Sequence, residues 1–202
     1  MTDATRLISD SFSRWRESPG ALSLAGQRGF TSLSFNRPGS NGLGGTPPRF
    51  DAWAEGRNGV VAIQSFRLDE VMPRPAGAVA RFFDELPDKR RGSPMLAAMK
   101  RLAAAADFVQ IDAIALIKAY MGLARDGRDA TLLYLFWEPD RAKHEREKHR
   151  AEVAAFAQAA DLPGTRFTAQ SFSELWEEWE NLAEPDWIAA HAAALRQRHE
   201  VS

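Results

Sequence analysis

The sequence has 202 residues, of which 45% are hydrophobic and 26% are charged, as in a folded globular protein. Its 26 basic and 27 acidic residues give a net charge of −1, which excludes a globally basic protein of the histone kind. There is no cysteine, so disulfides and thiolate nucleophiles are excluded. No apolar run has the roughly 20 residues of a membrane-spanning helix, and the N-terminus does not resemble a secretory signal. A cytoplasmic location is therefore expected.

The first predicted element is a helix over residues 5–16, where apolar side chains recur at helical spacing before a stop at Ser18-Pro19-Gly20. Residues 26–49 follow. Their six glycines and three prolines predict mostly loop, with a short strand near Leu33–Phe35. A loop of this length in a compact domain tends to be functional or mobile.

A β-hairpin is predicted over residues 50–68, because Asn58-Gly59 is a tight-turn signal between two runs of strand composition. The two strands are predicted at Phe50–Glu55 and Val60–Arg67. Side chains alternate along a strand, so the even-numbered residues of the second strand should share one face of the sheet and the odd-numbered residues the other.

The rest of the chain has the pattern of helices around one buried strand. The continuous apolar run at 130–137 predicts a central strand buried on both faces, and a short strand is predicted at 166–170. Helices are predicted over 77–86, 93–106 (with Ser93 as its cap), 108–124 (capped by Asp107), 140–160 and 173–199, the last broken near Pro185. This order predicts an α/β domain with a central sheet flanked by helices.

Most familiar catalytic motifs are absent, including phosphate-binding loops, dinucleotide fingerprints and nucleophile elbows. The four histidines lie in charged helical stretches and are predicted to be solvated: His144, His149, His191 and His199. The aromatic residues at helical spacing near the C-terminus are predicted to face the core rather than to stack on nucleic-acid bases; they are Phe172, Trp176, Trp179 and Trp187.

The block at 141–150 is rich in basic residues and has two interpretations. It could form a local patch that contacts phosphate, or a solvated helix face neutralised by its own acidic residues. The pairs Lys143/Glu147, Glu145/His149 and Lys148/Glu152 have the i,i+4 spacing of intrahelical ion pairs, which favours the second interpretation.

The predicted hairpin resembles the active-site hairpin of the PD-(D/E)XK nuclease superfamily, the restriction-endonuclease-like proteins. In that family an Asp begins one strand, and Glu-x-Lys follows an apolar triplet on the next. Here Asp51 begins the first strand, and Val61-Ala62-Ile63 precedes Gln64-Ser65-Phe66. The order of elements is similar over residues 5–176. The resemblance implies a single domain over 1–202, with a restriction-endonuclease-like mixed sheet and a C-terminal helical extension over about 173–199.

The resemblance also implies a chemistry, because in this family carboxylates hold Mg²⁺ and the lysine orients the attacking water. It makes Asp51 and Gln64 the expected metal ligands. Gln64, however, stands where the Glu is expected and brings no charge, and Phe66 stands where the Lys is expected. The resemblance therefore implies a nuclease centre that is weakened or lost.

Further residues could complete such a centre. Lys118 lies in a largely apolar part of the predicted helix 108–124 and could supply the missing cation; the alternative is a lysine that reaches solvent along its methylene stem. Asp10 or Glu17 on the first helix could add a carboxylate, as similar nucleases often draw one from there.

The resemblance thus implies a protein related to metal-dependent DNA phosphodiesterases, with Asp51, Gln64 and Lys118 as the catalytic candidates and Mg²⁺ as the cofactor if the centre is active. DNA would be contacted through a local basic patch, and a homodimer stays open. The alternatives are a non-catalytic module that binds nucleic acid or protein, and an unrelated α/β protein.

Overall fold

The computed structural model describes residues 3–40, 43, 46–68, 75, 77–84, 100–101, 104, 107–125, 127–138, 143–182 and 185–199. In chain order, the elements are α1 (Asp3–Phe12), two 3₁₀ helices (Ser13–Arg16 and Pro19–Ala21), β1 (Phe30–Pro38), β2 (Arg49–Gly56), β3 (Gly59–Arg67), α2 (Ala78–Asp84), α3 (Ala113–Arg125), β4 (Ala130–Trp137), α4 (Lys143–Ala159), β5 (Thr165–Ser171), α5 (Phe172–Glu180) and α6 (Trp187–His199). The predicted helix over 93–106 lies largely outside the described residues.

The five strands form one mixed, open sheet in the order β1-β2-β3-β4-β5. The first three strands pair antiparallel as a meander, whereas β4 is parallel to both β3 and β5. Each parallel pair needs a crossover, and the crossovers contain α3 and α4 respectively. The predictions of an α/β class, of the hairpin and of an interior strand at 130–137 are confirmed; all eight residues of β4 are buried.

The first face of the sheet packs against α2, α3 and α4. Val60 and Leu132 on the strands are buried there with Ile117 of α3 and Phe156 of α4. Burial of each large apolar side chain stabilises the fold by roughly 1.5–3 kcal/mol. This is the face on which Gln64 and Phe66 were predicted, and Phe66 does pack against this core.

The second face packs against α1, the 3₁₀ helices, α5 and α6. Val61 and Ile63 of β3 belong to this core, so the predicted alternation along β3 is confirmed. The C-terminal aromatic residues also lie here: Phe172, Trp176 and Trp179 are fully buried and Trp187 is partly buried, as predicted from their spacing. The break predicted near Pro185 separates α5 from α6.

The prediction of a mostly unstructured segment at 26–49 is wrong for its first half, because β1 extends over nine residues, Phe30–Pro38. Only one of its edges is paired, and many of its side chains are exposed and polar, so the alternation that marks a half-buried strand is weak. Asn36 adopts a positive φ of 56°, which interrupts the alternation further.

The predicted start of the third helix is also wrong. α3 begins at Ala113 rather than at 108, and its first turn is capped by Asp112, whose carboxylate accepts from the Ala115 N–H. Residues 109–111 precede the helix, and their N–H groups donate to the Glu152 carboxylate of α4. Asp107, the predicted cap, instead accepts from the Gly77 N–H. A carboxylate from another helix therefore satisfies donors that local sequence would assign to a helical turn.

Two of the four histidines predicted to be solvated are buried. His149 is 0% exposed, and His191 is 8% exposed, with its ring nitrogen 3.1 Å from the Ser11 carbonyl oxygen. His144 is exposed, as predicted. Charged residues surround His149 in the sequence and hide the side of its helix that faces the core, whereas His191 lies among alanines that give little indication of which side is buried.

Among the described residues, the partners shown for Glu152, His149 and Arg150 of the basic block and its helix lie outside that helix. Glu152 binds the N–H groups before α3, and the predicted partner of Glu145, His149, contacts Glu138 instead. Arg150, 51% exposed, is held by Glu138 and Glu174. These two acidic partners neutralise Arg150, one residue of the expected basic patch. In the described part of the chain, no helix combines the length and apolar character needed to cross a membrane.

Candidate functional site

Asp51 lies near the start of β2 and is partly buried. Its Oδ2 accepts two hydrogen bonds from β3, one from the Ser65 N–H at 2.6 Å and one from the Ser65 hydroxyl at 2.9 Å. Burial raises the pKa of Asp51 above its usual value, although the hydrogen bonds from Ser65 oppose the shift. The carboxylate is thus fixed in position at the cost of easier protonation.

Gln64 and Phe66 point to the other face of the sheet. Successive side chains of a strand alternate in direction, so the Asp51 carboxylate lies on the side of Ser65 rather than on that of Gln64. The Gln64 amide donates to the Arg49 carbonyl oxygen at 3.3 Å. Phe66 stacks on the His149 imidazole, with the ring planes 4° apart and the centroids 5.6 Å apart.

His149 is the centre of a buried polar cluster beside Phe66. Its Nε2 lies 3.0 Å from the Tyr134 hydroxyl, and its Nδ1 lies 3.5 Å from the Glu138 Oε1, at the outer limit of a hydrogen bond. The Phe136 ring packs edge-on against the imidazole, with centroids 4.7 Å apart. The position that carries lysine in the family pattern is therefore part of an aromatic packing surface.

Glu138 closes this cluster towards solvent. Its side chain is 7% exposed, and the Arg150 guanidinium lies 2.7 Å away. Burial disfavours ionisation of Glu138, but the contacts with His149 and Arg150 outweigh burial and hold its pKa below the usual value. Arg150 also binds Glu174, whose pKa is lowered by hydrogen bonds from Ser171 and Arg150 against the opposing effect of its own burial. These charges are engaged with one another.

The other candidate side chains have partners of their own. The Lys118 ammonium lies 5.3 Å from the centre of the Phe82 ring, a cation–π contact between α3 and α2. Asp10 of α1 pairs with Arg198 and His199 of α6. Glu17 is exposed beyond the first 3₁₀ helix. The described contacts therefore bring Asp51 together with Ser65, and do not link it to Gln64, Lys118, Asp10 or Glu17.

The donors around Asp51 do not fit a Mg²⁺ site. Mg²⁺ prefers an octahedral set of oxygen ligands that includes carboxylates. Here one carboxylate engages Ser65, and the neutral amide of Gln64 extends from the opposite face of the sheet. Within the described residues, there is no group of three or more Asp, Glu or His side chains that could hold a metal ion.

Asp51→Asn should test the electrostatic cost of this carboxylate. The folded protein holds the Asp51 proton more tightly than the unfolded chain, so the protein loses stability from this group as pH rises above the unfolded value of about 4. Asparagine has no such loss. We therefore expect the stability of Asp51→Asn relative to the unmodified protein to increase from pH 4 to pH 7 in urea denaturation, with exposed Glu177→Gln as the control for removal of a surface carboxylate. A relative stability that falls over this range would contradict the expectation.

Ser65 and His149 are the residues of this region whose place the sequence analysis does not predict. Ser65 occupies the unspecified middle position of the Glu-x-Lys pattern, so only its pairing with Asp51 across the hairpin reveals it. His149 could have been suspected from its position four residues before Val153, which also faces the core. Apolar neighbours at this spacing are the available signal.

Comparisons with known proteins add no relationship to this geometry. No protein-family model matches the chain, no curated protein matches it, and no solved structure matches it.

Proposed function

We propose that this chain is a restriction-endonuclease-like protein whose nuclease centre is weak or lost. The observation that carries the proposal is the hairpin of β2 and β3. Asp51 keeps its place at the start of the first strand, while the positions of the Glu and Lys hold Gln64 and Phe66. Phe66 packs on the buried imidazole of His149, so its place in the strand is used for packing.

The order of the elements supports the same proposal. A helix precedes an antiparallel meander, and two crossovers then add β4 and β5 in parallel to β3. The resemblance implied a mixed sheet flanked by helices in a similar order along the chain. A fold can host several unrelated activities, so the function depends on the residues at the site rather than on the order of strands.

The chemistry explains why little catalysis is expected. General acid–base and charge-stabilising groups each contribute roughly 10²–10⁴-fold to a rate. The strand positions that would supply them carry a neutral amide and an aromatic ring. A cytoplasmic location and contact with DNA through exposed arginines belong to this proposal.

A nuclease assay tests the proposal. Purified protein, Asp51→Ala and the exposed control Glu177→Ala are each incubated with plasmid and linear duplex DNA in the presence of Mg²⁺ or Mn²⁺. We expect little or no cleavage by any of the three proteins. Any residual cleavage should proceed at the same rate in all three. Robust metal-dependent cleavage by the unmodified protein and by Glu177→Ala, but not by Asp51→Ala, would overturn the proposal.

The same three proteins test the alternative, a non-catalytic module that binds nucleic acid. Fluorescence anisotropy with a labelled duplex would then show binding without added metal, at an affinity that falls steeply with salt. Asp51→Ala would not weaken that binding, because the carboxylate is engaged with Ser65 and, being negative, is not a phosphate ligand.

A further inference from the structure

The helix α6 covers part of the second core. Its Ile188, Ala192 and Leu195 are buried there with the aromatic residues of α1, the first 3₁₀ helix and α5. A surface helix can open locally at a lower free energy than the whole protein unfolds. The contacts that hold α6 in place therefore decide whether this part of the core is covered.

Two of these contacts are made by histidines of α6 to α1. The Nε2 of His191 lies 3.1 Å from the Ser11 carbonyl oxygen, and because a carbonyl only accepts, Nε2 carries the proton. The Nε2 of His199 lies 3.2 Å from the Asp10 carboxylate, and its ring lies 5.7 Å from the centre of the Trp176 ring. Both imidazoles are largely removed from water at the contact between the two helices.

The charges around the two imidazoles are mostly positive. The described charged groups on the elements packed here are Arg6 and Asp10 of α1, Arg14 of the first 3₁₀ helix, Glu17 just after it, Arg198 of α6, and Arg196 of α6 with its partner Glu180 of α5. The Asp10 carboxylate lies 3.2 Å from Arg198 and 3.8 Å from Arg6. A second proton on each imidazole would add two positive charges beside a carboxylate that two guanidiniums already share, and like charges in a partly buried site repel.

The pKa values of both histidines shift in the direction that this arrangement requires. Burial lowers the pKa of His191 and of His199, and nearby guanidiniums lower both further, against the hydrogen bond to Ser11 and the attraction of Asp10. A histidine whose pKa is lowered in the packed state takes up a proton more readily when it is released. The packing of α6 is therefore fully stabilised above the ordinary histidine value of about 6.5 and loses stability as pH falls below it.

We propose that the contact between α1 and α6 is a pH-sensitive latch, which is closed while His191 and His199 are neutral and is released when both are protonated. Release exposes apolar side chains of the second core, among them Trp15, which packs on Trp187 of α6 with ring centroids 4.7 Å apart. The latch does not depend on the proposed nuclease ancestry, because its contacts do not involve Asp51.

Amide hydrogen exchange of the full chain, followed by mass spectrometry at about pH 7.5 and about pH 5.5, tests the latch. The rates are corrected for the intrinsic effect of pH on exchange. We expect the protection of α6 to fall by about tenfold or more at the lower pH, since each histidine favours release by up to about tenfold per pH unit below its ordinary value. The protection of β3 and β4 should change much less.

The double variant His191→Gln/His199→Gln should keep α6 protected at the lower pH. A glutamine amide can donate as the neutral Nε2–H does, but it takes up no proton in this range. His144→Gln replaces an exposed histidine of α4 and is the matched control, which should respond to pH as the unmodified protein does. A response that persists in the double variant would overturn the proposal, and so would an equal loss of protection in β3 and β4.

Proton–carbon NMR of the histidine rings in the unmodified protein is a second measurement, which does not require that the double variant folds. Two of the four rings should titrate below the ordinary histidine value, at the pH where α6 loses its protection. If every ring titrates at or above about pH 6.5 while α6 stays protected, there is no latch.

Discussion

Trp179→Ala is expected to lower the free energy of unfolding by about 3–5 kcal/mol, as for other large-to-small changes in a core. Trp179 is 0% exposed and packs edge-on against Phe12, with ring centroids 5.5 Å apart, and against Trp15 at 5.1 Å. Its indole N–H donates to the Ser23 carbonyl at 3.0 Å. The substitution removes the contacts that this ring of α5 makes with α1 and the first 3₁₀ helix. It also leaves the buried Ser23 carbonyl without its donor.

Urea denaturation followed by far-ultraviolet circular dichroism measures the change without relying on tryptophan emission. Trp187→Ala is the matched control, because its ring also contacts Trp15 but is only partly buried. It should cost clearly less than Trp179→Ala. Equal losses for the two variants would mean that the second core is not organised around Trp179.

Gly59→Ala should be the most damaging glycine substitution in the hairpin, at about 3 kcal/mol or more. Gly59 begins β3 with a φ of 117°, where an L side chain is strained. A Cβ atom at this position would overlap the carbonyl oxygen of Asp129, which is backbone and also accepts from the Val60 N–H. The new methyl group would therefore push β3 away from the start of β4.

Gly127→Ala is the control for this effect. Gly127 also has a positive φ, 66°, but a Cβ atom there would meet no atom within 4 Å. It should cost only about 1–2 kcal/mol, from backbone strain alone. The difference between the melting temperatures of the two variants separates the effect of the clash at Gly59 from that of backbone strain, which both variants share. If Gly127→Ala were as destabilising as Gly59→Ala, the close approach of β3 to Asp129 would not be the cause.

The parts of the fold that are visible in the sequence are those with strong local signals. Asn58-Gly59 indicates the hairpin, although the two-residue turn is Arg57-Asn58 and Gly59 already belongs to β3. The apolar run 130–137 indicates a strand that is buried on both faces. The sequence pattern underestimates β1 because many of its side chains are polar and exposed. It extends α3 too far because Glu152, distant in sequence, binds the N–H groups before that helix.

The candidate site could be predicted only in part. Asp51 is recognisable in the sequence because it stands near a strand start, but its contact with Ser65 depends on the way the two strands pair. The position of His149 under Phe66 depends on how α4 lies on the sheet, which a charged helix pattern conceals. Contacts between distant segments carry no local signal, so the sequence indicates the elements of this site better than their arrangement.

The parallel pairing of β3 with β4 has a consequence for synthesis of the protein. β3 pairs with β2 across a short turn, but its other edge pairs with β4, which lies far along the chain: Val60 pairs with Ala130. A nascent chain that has not reached residue 130 therefore presents an apolar strand with unpaired N–H and C=O groups, a template for association with other chains. Such distant pairing also forms slowly. The interval before β4 leaves the ribosome is when this protein is most exposed to aggregation and to capture by chaperones.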